Sequence, residues 1–213
     1  MKVGIIGATG QIGNLILKEA LNDGLEVTAI VRDASKLEQK DVSVIEKDTF
    51  DLTKEDLQPF DVIVSAFGAP LGETEPHVKA GRVLINALDG TDTRLVIVGG
   101  AGSLYTDDSK TQTSLEEEGQ VPDFVVPTAT GHDQNLQQIK KTESLNWTFV
   151  SPSSFFDFEG PRTTHYRIGG NVLLTNADGE SYVSYADYAL AMIEIIKNND
   201  FIKQHITVVS DKA

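Results

Sequence analysis

The stretch Met1–Gly13, MKVGIIGATGQIG, decides how the rest of the chain is read. An apolar run, Val3 to Ile6, leads into Gly7, Gly10 and Gly13, and Ile12, Leu15, Ile16 and Ala20 then recur at helical intervals. That order predicts a buried strand, a tight turn and a helix, the arrangement that receives a dinucleotide pyrophosphate. Gly7 allows a backbone angle that a side chain resists, and Gly10 lets a phosphate approach the main chain. Gly13 lets the helix lie close to the strand. Thr9, Gln11 and Ile12 complete the turn, where the unpaired amides of the helix start face the anion. The spacing departs from G-x-G-x-x-G by one extra residue before the second glycine.

Working outward, 213 residues suit one domain able to bury about 70% of its unfolded surface. There is no cysteine, which excludes disulfides, thiolate catalysis and zinc-thiolate sites. Strand residues begin at Val3 with no signal segment before them, and no apolar run approaches the ~20 residues of a membrane span. Cytoplasm is the expected location. The net charge of −14, from 18 Lys plus Arg against 32 Asp plus Glu, argues against nucleic acid and anionic membrane as partners.

Further strands are expected at Glu26–Val31, Val42–Glu46, Asp61–Ala66, Arg94–Val98, Trp147–Val150 and Ile206–Val209. Helices are expected after Thr53, from Glu75–Pro76 to Leu88, over Gln134–Thr142, and from a Ser184 cap through Ile196. Tyr166–Leu174 reads as a hairpin or an edge strand. Strands alternating with helices predict an α/β, Rossmann-like doubly wound parallel sheet of order 3-2-1-4-5-6, with room for a further strand and helices on both faces. One domain, residues 1–213, is expected. Its polar, irregular segments near 104–130 and 153–182 would form a small, mainly C-terminal substrate lobe.

The end of the second strand bears on the nucleotide. An acid there takes the ribose hydroxyls of NAD, and an arginine takes the 2′-phosphate of NADP. Arg32 comes first and Asp33 second, so NADP is expected and NAD is the alternative; the guanidinium fork suits a phosphate. Lys36 adds charge if its turn faces inward, while Asp33 suits the cap of that turn. Asp48 is placed either to accept from the adenine amino group, with Phe50 beside the ring, or to make a turn. Ala66, Phe67 and Gly68 end the fourth strand against the ribose.

The segments GATGQIG, VRDASKL, SAFG, VGGAGSL, NWTFVSPSS and SYADYA together resemble the atypical short-chain dehydrogenase/reductase superfamily. More narrowly, they resemble its NAD(P)H-binding group of NADH-flavin reductase-like, biliverdin reductase B-like and NmrA-like proteins. The resemblance runs nearly end to end and implies a Rossmann fold with a nicotinamide cofactor. It also implies a substrate wall near Arg162 and His165. One departure stands out. Ordinary members use Tyr-x-x-x-Lys, but four residues after Tyr105, Tyr166, Tyr182, Tyr185 and Tyr188 stand Ser109, Gly170, Ala186, Ala189 and Met192.

Without that pair, the expectation is an NAD(P)H-dependent reductase that transfers hydride directly to flavin or a similar planar acceptor, for which positioning does most of the work. Ser103 and Ser153 or Ser154 are candidates to orient substrate, and Pro152 to fix the loop at the nicotinamide. His132 is the candidate proton donor, its plain alternative being a solvated loop histidine. Phe155, Phe156 and Phe158 offer either a surface for a planar ring or local core. Asp187 reads as part of a helix cap. The alternatives are a non-catalytic NADP(H) redox sensor of NmrA-like type and an isomerase with His132 as base. No metal site is expected, and the oligomeric state is left open.

Overall fold

The computed structural model of the chain describes residues 1–212. The opening strand β1 (Lys2–Ile6) is followed by α1 (Gln11–Asn22), β2 (Glu26–Val31), β3 (Ser43–Glu46), the short α2 (Lys54–Leu57) and β4 (Val62–Ser65). Then come α3 (Glu75–Leu88), β5 (Arg94–Val98), α4 (Val126–Lys140), β6 (Trp147–Pro152), β7 (Phe155–Asp157), β8 (Tyr166–Gly169), β9 (Tyr182–Ser184), α5 (Tyr185–Lys197) and β10 (Gln204–Ser210). The main sheet has eight strands in the order β3-β2-β1-β4-β5-β6-β10-β8. The expected order 3-2-1-4-5-6 is therefore present, extended by parallel β10 and by antiparallel β8 at the edge. β7 and β9 form a separate parallel pair.

Alternation along β1 divides the core. Val3 and Ile5 pack on the face covered by α1 and α5, through Ile16, Leu17, Ala189 and Met192. Ile6 packs on the other face, with Leu84 and Leu88 of α3 and Leu136 and Ile139 of α4. Strands buried on both faces read as continuous apolar runs, as EVTAIV, VIVS and RLVIV do. Buried Arg94 joins the layers at the bottom of the sheet. Its guanidinium donates to Thr148 Oγ1 at 2.6 Å and to the carbonyls of Ile195 and Asn198 at 3.1 and 2.8 Å, at the end of α5. Burial lowers its pKa to about 10, still charged at neutral pH.

Several element ends follow the expected chemistry. Gly24, at φ +77°, terminates α1. Thr53 donates its backbone N–H and its hydroxyl to Asp56 at 2.8 and 3.0 Å at the start of α2. Ser184 Oγ accepts from the Asp187 amide at 3.0 Å and caps α5.

One expectation is corrected. α4 begins at Val126, not Gln134, so His132 lies on a helix and not in a loop. The face that α4 buries is Ala129, Gly131, Asn135, Leu136 and Ile139, so small and polar residues replace the apolar stripe that marks a helix in sequence. The two irregular segments touch: Tyr105 N donates to Asn171 O at 2.9 Å, and Leu173 N to Tyr105 O at 2.8 Å.

Candidate functional site

The glycine turn is built as its residues dictate. Gly7 has φ +77°, a region costly for any residue with a side chain, and a Cβ there would drive into the Ala66 carbonyl. A Cβ on Gly13 would collide with the Gly7 carbonyl, so Gly13 sets how closely α1 approaches β1. Gly10 N donates to Gly7 O at 2.9 Å and closes the turn, and Asn14 N to Gly10 O makes the first bond of the helix. The amides of Gln11, Ile12 and Gly13 precede that bond and are the unsatisfied donors of α1.

These amides open on a cavity of about 510 Å³ at the carboxyl ends of β1, β2 and β4. Gly7, Thr9, Gly10, Gln11 and Ile12 line one end, Ala66, Phe67 and Gly68 another, and Arg32 and Lys47 the far end. All of these except Lys47 are expected cofactor residues, and the structure brings them together with Gly13 beneath them. Exposed Arg32 has no ion-pair or hydrogen-bond partner among the described side chains, so its five donors stay available. Asp33 does not compete for the cavity. Its carboxylate accepts from Ser35 N and Oγ at 3.0 and 2.6 Å, which hold its pKa below the usual value. Lys36 turns to Asp33 at 3.6 Å and does not line the cavity.

Asp48 and Phe50 stand elsewhere than the adenine reading requires. Asp48 Oδ1 accepts from Phe50 N at 2.9 Å and caps a short turn, and neither residue lines the cavity. Phe50 packs edge-on against Phe67 at 5.6 Å, with Lys79 Nζ 4.2 Å above its ring. Their neighbours Lys47 and Thr49 face the cavity instead, and the reading of the sequence missed both. It also missed Tyr185, which lines the same cavity and whose ring packs tilted against Phe156, with ring centres 3.9 Å apart.

Phe156 belongs to a second cavity of about 290 Å³, so the Phe156–Tyr185 pair stands between the two spaces. The second cavity lies at the ends of β5 and β6. Its walls are Gly99–Gly102, Gln120–Pro122, Val125, Ala129 and His132, with Pro152, Ser153 and Ser154 opposite. No Asp, Glu, Lys or Arg lines it. Phe155 and Phe158 do not line it either and remain 58% and 57% exposed.

The expected catalytic residues fare differently. Ser103 is buried and does not line this cavity. Its hydroxyl donates to Gly100 O at 3.1 Å, and Ser151 Oγ donates to the same carbonyl at 2.8 Å. With both protons spent there, His205 Nε2 must be the donor to Ser151 Oγ, 2.9 Å away. Ser103 thus belongs to a buried network that fixes the turn after β5, and its assignment to substrate orientation is corrected. Ser153 lines the cavity, but its hydroxyl donates to Val208 O at 2.8 Å and orients the strand end. Pro152, at the end of β6, lines this second cavity and not the cavity at the glycine turn.

His132 lines the cavity, but it is not an acid. Burial, with His77 beside it, lowers its pKa from 6.5 to about 3, so it is neutral at physiological pH. That neutrality argues against proton donation by a charged His132. Arg162 is also placed away from both cavities. Its guanidinium pairs with Glu19 of α1 at 2.5 and 3.2 Å, in a groove between α1 and α5, and His165 is exposed outside both cavities. Asp187 is fully buried and accepts from Thr163 N, Thr163 Oγ1 and Thr164 N at 3.0, 2.6 and 2.9 Å. It clamps the 160–165 loop onto α5, a structural role beyond the cap.

Among the described residues, no cluster of three His, Asp or Glu could hold a metal ion, and no helix is long and apolar enough to cross a membrane.

Known proteins share this geometry. A model of a family described as NAD(P)H-binding matches residues 7–199. An uncharacterized protein of Bacillus subtilis (strain 168), YwnB, is 50% identical over 212 residues, covering 99% of each chain. The crystal structure of "a putative NADH-flavin reductase" from Streptococcus pneumoniae TIGR4 is 41% identical with a TM-score of 0.93, covering 99% of this chain and 100% of that one. A "putative epimerase" from Bacteroides thetaiotaomicron is 29% identical with a TM-score of 0.87, covering 100% of this chain and 98% of that one. The fold is common to them; the chemistry in their names is not.

Proposed function

The chain belongs to the NAD(P)H-binding family, and from that premise we propose that it is an NADPH-dependent reductase that passes hydride directly to a flavin-like planar acceptor. The observation that carries this reading is the second cavity. It lies beside the dinucleotide cavity, its walls are mostly apolar, and no group with a pKa near neutrality lines it. A ketone or sugar substrate needs a protein acid to meet the developing alkoxide. An electron-poor ring accepts hydride without one, and its proton comes from water.

The residues fit a dinucleotide on three grounds: the amides of α1, the left-handed Gly7 that no side chain can replace, and the unpaired Arg32 in a chain of net charge −14. When bound, the reduced nicotinamide supplies the hydride. The free backbone N–H groups at the start of α1, those of Gln11 and Ile12 foremost, hold the pyrophosphate, while Gly7 and Gly10 shape the turn and let it approach. Arg32 takes the 2′-phosphate and accounts for a preference for NADPH, with Lys47 adding charge while it stays paired to Asp56 at 2.5 Å. Tyr185 and Phe156 present ring faces where the two spaces meet. Pro152 and the Gly99–Gly102 turn shape the acceptor space, and their rigidity supplies alignment, the main source of rate in such a transfer.

The test is NADPH oxidation with and without FMN, riboflavin, quinones and linear tetrapyrroles under anaerobic conditions. Acceleration by a planar acceptor is expected. Tight NADPH binding with no turnover on any of them would refute the reductase reading and favour a redox sensor, whose partner affinity would then differ between NADP and NADPH.

A further inference from the structure

Between α3 and α4 lies a small space of about 10 Å³, walled in part by Phe67, Ala80, Ile97 and Val98. Three polar atoms on its lining residues are buried without a partner: His77 Nε2, His132 Nδ1 and Asn135 Oδ1. Orphaned polar atoms cost about 1–3 kcal/mol each, so three on residues lining one small space require an explanation. Two glycines create the space. A Cβ on Gly81 would strike the Asn135 amide, and one on Gly131 would come within 2.7 Å of Thr74 O and 3.1 Å of His77 Cβ. The helices therefore pass close together with polar side chains in their seam. The two imidazoles lie with ring centres 4.2 Å apart, and Phe67 closes the far side edge-on to His77 at 5.7 Å.

We propose that this space binds one water molecule that joins His77, His132 and Asn135 and so fixes His132 in the tautomer whose Nε2–H faces the acceptor cavity. The room matches: one water needs about 10–15 Å³ and two to four polar partners. The proton count then decides direction. Asn135 Oδ1 can only accept, so it takes one water proton. The water spends its second proton on one histidine nitrogen and accepts from the other, since accepting from both would leave that proton without a partner among these three atoms. Either His77 Nε2–H donates and His132 Nδ1 accepts, or the reverse. In the first case both histidines carry the proton on Nε2, the form that a neutral histidine side chain intrinsically prefers; in the second both carry it on Nδ1. The first is therefore the assignment.

His132 Nδ1 is turned into the seam, and the same side chain lines the acceptor cavity. With Nδ1 accepting from water, Nε2–H becomes the one imidazole donor available to that cavity. Burial keeps both imidazoles neutral, so the donor persists across physiological pH. A neutral N–H aimed at a ring heteroatom orients a planar acceptor without protonating it. His77 and Asn135 act through the water and are positioning residues. The role toward the acceptor rests on the reductase reading; the water site and the tautomer do not.

Long-range ¹⁵N–¹H correlation on histidine-labelled protein at neutral pH reads the tautomer directly. The expected result is an Nε2-protonated His132 and an Nε2-protonated His77, with a crystal structure showing one ordered water between them. His77→Phe keeps the ring packing but removes the donor to the water. It should convert His132 to a tautomer mixture and raise the KM for the acceptor about threefold to tenfold, leaving the KM for NADPH within about twofold. His77→Gln, which restores an N–H, should recover most of the loss. An Nδ1-protonated His132 in the wild type, a dry seam, or a His132 spectrum unchanged in His77→Phe would overturn the proposal. The wild-type spectrum decides the matter even if the variants fold poorly. If no acceptor is reduced but the tautomers are as stated, the reductase reading falls and the water site stands.

Discussion

Replacing Arg32 with alanine isolates the choice of nucleotide. The side chain is exposed at the far end of the dinucleotide cavity and holds no partner that its loss would orphan. Surface changes of that kind move stability by less than about 0.5 kcal/mol, so the melting temperature should stay put. A hydrogen bond to a charged group is worth about 1.5–3 kcal/mol, and exposure places this one toward the lower end. At about 1.4 kcal/mol per tenfold, NADPH affinity should fall about tenfold to thirtyfold. NADH lacks the phosphate and keeps only whatever stacking the guanidinium gives on adenine, so its loss should stay within about threefold. Lys47 cannot compensate fully, because Asp56 holds it at 2.5 Å. Calorimetric titration of both nucleotides into wild type and Arg32→Ala, at low and physiological salt, measures this. The NADPH effect should shrink as salt rises. Equal losses for NADPH and NADH, or none for NADPH, would show that Arg32 does not read the phosphate.

Gly7→Ala places a side chain at φ +77° and against Ala66 O, so it should cost at least about 1–2 kcal/mol in urea unfolding and abolish NADPH binding; near-wild-type binding would contradict the turn assignment. Ser151→Ala removes a donor to Gly100 O and the acceptor for His205 Nε2, and should cost about 1–3 kcal/mol by the same assay. Stability should fall on acidification through a stated window. His132 and His205 have folded pKa values of about 3 against an ordinary 6.5, so below pH 6.5 the unfolded chain binds protons the folded one refuses. Each should add about 1.4 kcal/mol per pH unit to the loss between those limits. His205→Gln should flatten that acid limb in urea titrations, and an unchanged slope would refute the burial argument.

Much of the sheet was legible because parallel strands buried on both faces leave continuous apolar runs, because Gly7 and Gly24 mark turns at positive φ, and because Ser184 marks a helix start by its capping hydroxyl. α4 was misplaced for the opposite reason. Its buried face, Ala129, Gly131 and Asn135, serves the polar seam and carries no apolar period. β7 and β9 pair with each other outside the main sheet, and strands of three residues show no period of their own. Within the dinucleotide cavity, the glycine turn and Arg32 were read from local rules. Lys47, Thr49 and Tyr185 reach it through tertiary placement. Strand order supplied the available signal for the first two: β3 lies beside β2, so residues following β3 face the same end as Arg32. Ser103 was misassigned because a hydroxyl after a strand looks alike in sequence whether it meets a substrate or, as here, a backbone carbonyl.

The central claim is that hydride moves in a space without a protein acid or base. Anaerobic stopped-flow with stereospecifically C4-deuterated NADPH, at saturating cofactor and with the best planar acceptor, isolates that step. The account predicts a primary isotope effect and a hydride-transfer rate that stays flat between about pH 5.5 and 8.5, because His132 titrates near 3 and burial raises Tyr185 above its usual value. A bell-shaped profile with a limb near neutrality, lost in His132→Gln, would contradict it.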